Sequence, residues 1–447
     1  MSQIIETRLR KEVVRLAWPI LIQGLLGTVI MFTDRLILGR YSADALASMQ
    51  AAGPITWATF NMYGAFGIGV LAVIGRATGA ADAAQARGVL SSSLVIALGV
   101  GAVLGLAGFG GRDIFAHALL GDAVHSATAR VMATDYLAWV FACAPFTTLG
   151  VTLSYALQAS GDTRSPMWIS LLAGSANLIL SWIFVFGHLG APEMGIHGAA
   201  LGTAASTVIV CLISFWVMQR PQRILRIGRP NFPTLRPVIK VAVPALGERI
   251  IFHVGFLTFA GFVGHLGTKA MAAHQACMAI ESLGFIASYA LGSANGTIVA
   301  QKLGAGSPSD ARKATYFTVR LSLALMCLIG LIFWFFAHPL VALFCADPET
   351  IRLGVDCMRV AAVAQPIMAV TDAFAGGLRG AGDTKSPMIV ALIGPVLVRV
   401  AASWLFAFEF ELGLVGIWLG STLDWLVRGI WLSIVFGRGR WATIKLG

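Results

Sequence analysis

The sequence predicts an all-α membrane protein in which twelve transmembrane helices form two six-helix lobes. Three properties of the 447-residue chain support this: hydrophobic residues make up 57%, charged residues make up only 12%, and the mean hydropathy is +0.80. Soluble domains are less apolar and carry more charge. Long apolar runs recur along the chain, and each can cross roughly 30 Å of hydrocarbon as a helix of about 20 residues.

The apolar runs are continuous rather than alternating, which favours helices over strands because lipid tolerates only elements whose backbone is internally hydrogen-bonded. The first half contains the predicted spans 13–38, 55–74, 89–109, 136–157, 166–186 and 198–217. The second half contains the predicted spans 241–263, 276–300, 316–336, 351–377, 387–408 and 415–436. Residues 1–15 are polar and basic, and no cleavage site follows, so the first span is expected to stay attached.

The net charge of +11 is distributed unevenly between the predicted loops. Most of the 32 lysine and arginine residues fall on one side of the predicted membrane, which by the positive-inside rule places both termini in the cytoplasm. The densest cluster comprises Arg220, Arg223, Arg226, Arg229, Arg236 and Lys240. We interpret it as a cytoplasmic linker in contact with anionic lipid, and expect no binding of nucleic acid.

The second half of the chain repeats the first. Pro19 matches Pro244 at an offset of 225 residues, and Gly198 matches Gly416 at an offset of 218. The repeat predicts an amino-terminal lobe (1–219), a basic linker (220–240) and a carboxy-terminal lobe (241–447). Because each half has an even number of spans, the halves are expected to be parallel repeats in an inverted V, related by an axis along the membrane normal. A cleft between such lobes can open alternately to each side.

One turn motif occurs twice in the sequence, as GDTRSPM beginning at Gly161 and as GDTKSPM beginning at Gly382. The glycines suit a left-handed helix stop, the aspartates can fold back on the backbone, and Ser-Pro suits an N-cap followed by a proline at N1. We interpret both as hinge loops rather than as sites of substrate chemistry. The residues concerned are Gly161, Asp162, Ser165 and Pro166, and Gly382, Asp383, Ser386 and Pro387.

Six acids fall within or near apolar spans, where an unpaired charge is costly and often functional. They are Asp34, Asp135, Glu248, Glu281, Asp372 and Asp424. Asp135 has a repeat partner in Asp356, which favours a structural role. Asp424 lies four residues before Arg428, which favours a private ion pair.

The other four acids have no acidic counterpart in the repeat. Asp34, Glu248, Glu281 and Asp372 correspond to Phe259, Gln23, Thr56 and Val151, respectively. A carboxyl group away from bulk water can alternate between protonated and ionised states, or hold Na⁺ with neighbouring oxygens. These four are the candidate ion-coupling acids, with Asp34 as the principal ion switch and the one candidate Na⁺ ligand. The alternative for Asp34 is an interhelical hydrogen bond.

No enzyme motif is present in the sequence: there is no phosphate loop, no H-E-x-x-H and no G-x-S-x-G. The missing phosphate loop also argues against direct drive by ATP. We therefore expect no enzymatic activity and no cofactor, and a coupling ion that is H⁺ or Na⁺.

The doubled hinge, the D-x-x-x-x-G of Asp34 and Gly39, the Gln-Ala pairs and the Gly-Ala-Ala at Gly198 resemble the multidrug and toxic compound extrusion (MATE) family. The resemblance implies a two-lobe antiporter that expels organic, often cationic, compounds in exchange for H⁺ or Na⁺. It implies an ion site on spans one, five and six, and a bend of span one at Pro19. The positions of this sequence that match the family's ion site are Asp34, Asn177, Ser181 and Thr203. Ser181 stands where the family usually has an acid.

In the sodium-driven branch of that family, the acids of the carboxy-terminal lobe occupy positions that fall here on Phe252 and Met368. H⁺ is therefore favoured over Na⁺. The predicted protein is a monomeric multidrug antiporter of a bacterial-type inner membrane. The alternative is a flippase for an amphipathic lipid or lipid-linked precursor, with Arg35, Arg249 and Arg399 as cavity cations; a channel is disfavoured.

Overall fold

The computed structural model describes residues 2–120, 126–220 and 225–446. Within these ranges the regular secondary structure is helical and contains no strand. Eleven of the described helices are long and apolar enough to cross a membrane, and a bent pair of shorter helices makes twelve spans if it is counted as one. The predicted fold class is confirmed.

The helices of the first half cover the predicted spans and extend beyond most of them. They are α1 (Ser2–Tyr41), α2 (Ala43–Gly79), α3 (Ala83–Leu120), α4 (Ser126–Ala142), α5 (Ala144–Ala159), α6 (Arg164–Phe186) and α7 (Ile196–Met218). Long helices of this kind leave only short connections on either side of the bilayer.

The second half follows the same order. Its helices are α8 (Leu235–His265), α9 (Thr268–Gly304), α10 (Pro308–Phe335), α11 (Ala337–Ala342), α12 (Pro348–Ala381), α13 (Lys385–Ala391), α14 (Arg399–Trp404) and α15 (Gly413–Gly437). The π-helical segments Leu392–Val398 and Leu405–Glu409 join α13 and α14 into one span, Lys385–Glu409.

The fourth span is broken, although its sequence predicts one continuous helix over residues 136–157. Helices α4 and α5 meet at Cys143 with a bend of 54°. Pro145, in the first turn of α5, has no N–H with which to continue the helix, and its ring would collide with a carbonyl of the preceding turn. Its repeat partner Pro366 lies inside the unbroken α12. The proline therefore permits the break but does not impose it.

The two hinges end their preceding helices in the same way. Gly161 and Gly382 both have a φ of +88°, which confirms the predicted left-handed stops. In each hinge the glycine N–H donates to the carbonyl three residues back, and the following aspartate N–H donates to the carbonyl five residues back. This is the Schellman pattern, which satisfies the last carbonyls of a helix.

The predicted N-cap of the hinges is wrong. Helix α6 begins before Ser165, and the Asp162 carboxylate accepts the backbone N–H of Ser165 at 2.9 Å and its hydroxyl at 2.6 Å. Asp383 and Ser386 repeat these contacts at 3.1 and 2.7 Å. The aspartate therefore caps each helix, and Pro166 lies within the first turn, where its missing N–H costs nothing.

The chain packs into two compact units that do not follow the sequence halves throughout. Unit 1 comprises Met1–Leu21, Gly79–Ala81 and Ile239–Gly447, and unit 2 comprises Ile22–Thr78 and Asp82–Val238. Helix α1 therefore contributes its amino-terminal part to unit 1 and its remainder to unit 2. The predicted lobes describe the duplication, whereas the units describe the packing.

The amino-terminal part of α1 is held in unit 1 by apolar and ionic contacts. Val13 and Leu16 belong to a buried cluster with Leu291 of α9. Lys302 Nζ lies 3.0 Å from a carboxylate oxygen of Glu12, and both side chains are largely buried. The same helix therefore carries a segment fixed in unit 1 and, further along, Asp34 in unit 2.

Helices α9 and α12 of unit 1 approach each other at glycines. A side chain at Gly376 would meet the backbone oxygen of Gly292, and one at Gly380 would meet that of Gly296. Only glycine allows this backbone separation. The contact fixes the position of α12, which carries Asp372 and Arg379.

Candidate functional site

The candidate ion site lies in unit 2, where α1 meets α6 and α7. Asp34 is half-buried and Asn177 is only 2% exposed. In the amide orientation that satisfies both of its hydrogen-bonding groups, Asn177 donates to Asp34 Oδ1 at 3.1 Å, and its carbonyl oxygen accepts from the backbone N–H of Thr203 at 3.1 Å. The structure thus brings together three of the four residues that the family resemblance implies.

A further side chain, Tyr136 of α4, joins these three. Its hydroxyl lies 3.3 Å from Thr203 Oγ1, its side chain is buried, and the charge of Asp34 acts on it. We call Asp34, Tyr136, Asn177 and Thr203 the unit 2 polar cluster. The sequence carries no signal for Tyr136, because an aromatic residue in an apolar span has the pattern of a packing residue.

Small residues bring α6 and α7 close enough to form this cluster. A side chain at Gly198 would meet the backbone of Phe184, and one at Gly202 would meet Ser181. Such close approach of small residues is common between membrane helices. It places Thr203, which follows Gly202, beside Asn177.

Ser181, the fourth implied residue, packs against Gly202 rather than joining the cluster through hydrogen bonds. It is fully buried, and its hydroxyl has no hydrogen-bond partner among the described residues. Its repeat partner Ser403 lies against Gly420 in the same way and donates to the Ile417 carbonyl at 3.1 Å. The repetition of this contact in a half without Asp34 favours a packing role.

Replacing Ser181 by Ala is expected to leave transport unchanged, because the lost hydroxyl has no hydrogen-bond partner to leave unsatisfied. Ser181→Val is expected to destabilise the protein by about 1–3 kcal/mol, because its methyl groups overpack the contact with Gly202. Initial rates in vesicles and melting temperatures in detergent measure the two effects. A large loss of transport in Ser181→Ala with an unchanged melting temperature would instead make Ser181 an ion ligand.

The second half contains a changed version of the same cluster. Phe259 stands at the position of Asp34, and the Arg399 guanidinium lies over the Phe259 ring, 5.4 Å from its centroid. Ser403 matches Ser181, so Arg399, four residues before Ser403, matches Asn177. In unit 1, the acid of the unit 2 pair is therefore replaced by the aromatic Phe259, and the amide is replaced by the guanidinium of Arg399.

The π-helical segment Leu392–Val398 hides this correspondence in the sequence. A π-helical turn takes one more residue than an α-helical turn, so residues after it are displaced by one relative to the first half. Gly394 makes room within this segment: a side chain there would meet Asp424 and Arg428.

Glu248, a predicted coupling acid, has a cationic partner that the sequence did not indicate. Arg379 Nε donates to Glu248 Oε2 at 3.2 Å, and Arg379 Nη2 donates to Glu248 Oε1. Both side chains are mostly buried. The adjacent Arg249 instead lies over the Tyr289 ring, 5.7 Å from its centroid.

Asp372 lies about two helical turns before Arg379 on α12 and is half-buried. Its Oδ2 has no hydrogen-bond partner among the described residues, while the charges of Arg379, Arg428 and Arg249 act on it. Asp372 therefore has cations around it without a direct ion pair.

Glu281 on α9 is half-buried, and the charge of Arg399 acts on it. Arg399 itself is bound by Asp424: its Nε donates to Asp424 Oδ2 at 2.9 Å, and Arg428 Nη2 donates to the same oxygen at 2.9 Å. The predicted pair of Asp424 and Arg428 is confirmed, with Arg399 as a third member. We call these three the buried charge triad.

The remaining predicted residues lie apart from the unit 2 polar cluster. Pro19 is buried within α1, in the part that belongs to unit 1. The glycine and aspartate of each hinge lie between α5 and α6 in unit 2 and between α12 and α13 in unit 1, and the hinge prolines Pro166 and Pro387 lie in the first turns of α6 and α13. Their part in gating stays a prediction.

The sequence halves both match one family model. The model, described as MatE, matches residues 19–183 and 244–405. The two matches begin at Pro19 and Pro244, which are repeat partners.

Relatives match along nearly the whole chain. A protein of Thermotoga maritima named "Probable multidrug resistance protein NorM" is 27% identical over 437 residues, covering 97% of this chain and 93% of the relative. A protein of Burkholderia pseudomallei with the same name is 28% identical over 433 residues, covering 92% and 88%.

Solved structures share the fold. "Outward-facing conformation of a multidrug resistance MATE family transporter of the MOP superfamily" has a TM-score of 0.90 at 19% identity, covering 99% of this chain and 98% of that one. A MOP superfamily transporter from Pyrococcus furiosus, whose report describes a binding pocket of reverse polarity, has a TM-score of 0.89 at 19% identity, covering 97% and 96%.

Proposed function

The chain belongs to the MatE family of membrane transporters, and from this premise we propose that it is a secondary active multidrug efflux antiporter. It exports small organic, often cationic, compounds in exchange for H⁺, by alternating access. The multidrug resistance names of its relatives support the substrate class. As a member of a transporter family, the protein is not an enzyme.

The unit 2 polar cluster is the observation that carries the proposal. A single carboxyl group, Asp34, sits in a membrane-spanning helix with an amide donor at 3.1 Å and no cationic partner among the described ion pairs. Such a group is costly unless it is used. When ionised it attracts an organic cation, and when protonated it releases one, so that the two ligands exclude each other.

Coupling to H⁺ rather than Na⁺ is supported by the amide orientation of Asn177 that satisfies both of its hydrogen-bonding groups. In that orientation its N–H donates to Asp34 and its carbonyl oxygen accepts from the backbone N–H of Thr203. Hard cations need several oxygen ligands, and an N–H donor facing the carboxylate repels them. Na⁺ binding would require the amide to turn round and give up its bond to Thr203.

The geometry of unit 1 argues against one of the three cavity cations on which the flippase alternative depends. Arg399, one of three candidate cavity cations, is 5% exposed and bound to Asp424. A guanidinium held in this way is not available to a lipid phosphate. Neither Arg35 nor Arg249 gives a specific reason to prefer a lipid substrate.

We further propose that the protein is a monomer of a bacterial-type inner membrane with both termini in the cytoplasm. The distribution of lysine and arginine between the loops supports the cytoplasmic position of the termini. Protease accessibility of a tag at either terminus in sealed inverted vesicles checks the orientation.

Reconstitution tests the proposed exchange. Purified protein is placed in liposomes, a pH gradient or a Na⁺ gradient is imposed separately, and uptake of a fluorescent organic cation is followed. Uptake with the pH gradient alone, abolished by a protonophore, is the expected result. Uptake with the Na⁺ gradient alone would show that Na⁺ is the coupling ion. Steady conductance without exchange would refute antiport.

A further inference from the structure

The chain between α7 and α8 is fixed against the beginning of α3. The backbone N–H of Gly228 donates to Ser91 Oγ at 2.8 Å, and that of Asn231 donates to Ser92 Oγ at 2.7 Å. Leu225, which begins this segment, is only 2% exposed. Residues 225–235 are therefore held in place by unit 2 rather than hanging as a free loop.

Three arginines of this region point away from the protein. Arg226, Arg229 and Arg236 are exposed, and no ion pair with a described residue is recorded for any of them. Residues 225–240 contain no acid, and the nearby Asp82 is used to cap α3, where its carboxylate accepts the N–H of Gln85 at 2.9 Å. The result is a fixed surface of positive charge, which we call the basic platform (Arg226, Arg229, Arg236).

The basic platform lies level with the ends of membrane-spanning helices. Span Ile196–Met218 ends just before it, and span Phe232–His265 begins within it. Trp216 is 60% exposed with the Arg220 guanidinium 4.1 Å from its ring centroid, and Phe232 is 55% exposed. Exposed tryptophan and arginine of this kind mark the boundary between hydrocarbon and headgroups.

We propose that the basic platform binds the headgroups of anionic phospholipids in the membrane that the protein spans. Guanidinium groups pair with phosphate oxygens through two parallel hydrogen bonds, and the exposed aromatic side chains lie where acyl chains begin. Because Ser91 and Ser92 already fix the linker, lipid binding does not have to order it. Bound lipid would in turn hold the linker against α3.

Lipid retention measures this binding directly. The protein is reconstituted with phosphatidylcholine and phosphatidylglycerol, extracted in mild detergent, and its bound phosphatidylglycerol is quantified by mass spectrometry over a titration. Each of Arg226→Gln, Arg229→Gln and Arg236→Gln is expected to weaken the apparent affinity about fivefold, since a basic residue near an anionic surface contributes about that factor. Replacement of all three by Lys keeps the charge but not the paired hydrogen bonds, and should therefore retain only part of the binding.

A matched control removes the same charge elsewhere. Arg438, Arg440 and Lys445 are exposed near the end of unit 1, and their replacement by Gln should leave the affinity within twofold. Equal losses in control and platform variants would overturn the proposal, because they would show a general charge effect. Competition by millimolar inorganic phosphate as strong as by the lipid would also overturn it.

The test uses single Gln variants, because replacing all three arginines by Gln at once also removes charge that orients the chain in the membrane. The single variants lose one charge each, and a melting temperature within 2 °C or so of the parent is the criterion for an intact fold. Unchanged phosphatidylglycerol affinity in all three folded single variants would refute the basic platform. Transport is not the readout, so failure of the proposed antiport would leave this result unaffected.

Discussion

Replacing Asp34 by Asn is expected to abolish gradient-driven efflux while the protein still folds and inserts. Asn has the shape of Asp but can neither release a proton nor attract a cation. Its side-chain oxygen can still accept the Asn177 amide N–H that Oδ1 accepts at 3.1 Å in the parent. Packing is therefore preserved, and only the exchangeable charge is lost.

The measurement is dye uptake driven by a pH gradient, which should fall to the level of protein-free vesicles. Asp135→Asn is the matched control: Asp135 precedes Tyr136 on the same helix but is paired at 3.5 Å with the half-exposed His197. It should retain most of the transport. Full efflux by Asp34→Asn would show that Asp34 is not the ion switch. Glu281 and Asp372 would then be the remaining candidate acids.

Replacing Asp424 by Asn is expected to cost about 3–5 kcal/mol of stability, because it leaves two buried guanidinium groups without an anion. Arg399 and Arg428 are 5% and 7% exposed, and both donate to the same oxygen of Asp424. Water cannot replace the lost carboxylate at such burial. The expected observation is a clearly lower melting temperature in detergent.

Two comparisons show whether this loss comes from the charge. Asp356→Asn removes a half-exposed acid 3.9 Å from Arg359, a pair of the kind that contributes about 0–1 kcal/mol. A triple replacement, Asp424→Leu with Arg399→Met and Arg428→Met, should regain much of the stability, because it leaves no member of the buried charge triad without its partner. A melting temperature of Asp424→Asn equal to that of the parent would contradict the argument.

The candidate site was only partly accessible from the sequence. Asp34 could be found because a lone acid in an apolar span stands out without any structural information. Asn177 and Thr203 came from the family resemblance, and the structure places Asn177 beside Asp34 and Thr203 beside Asn177. Tyr136 gave no signal, because its role depends on a contact with Thr203 that lies 67 residues away.

The other acids show where reasoning from spacing fails. Asp424 and Arg428 are four residues apart on one helix, and this local geometry correctly predicted their pair. Glu248 and Arg379 are 131 residues apart, so nothing in the sequence joins them. Arg399 could not be matched to Asn177, because a π-helical segment displaces the repeat by one residue.

The fold class, the spans and the duplication follow from the amino-acid sequence alone, because length and hydropathy are local properties that a bilayer selects directly. Both helix stops also follow from the sequence, since a glycine followed by aspartate favours the same turn wherever it occurs. Three features required the folded structure: which carboxylates are neutralised, where span four breaks, and to which unit the beginning of α1 belongs. These depend on contacts between helices, and the side chains that make such contacts are distant in the chain.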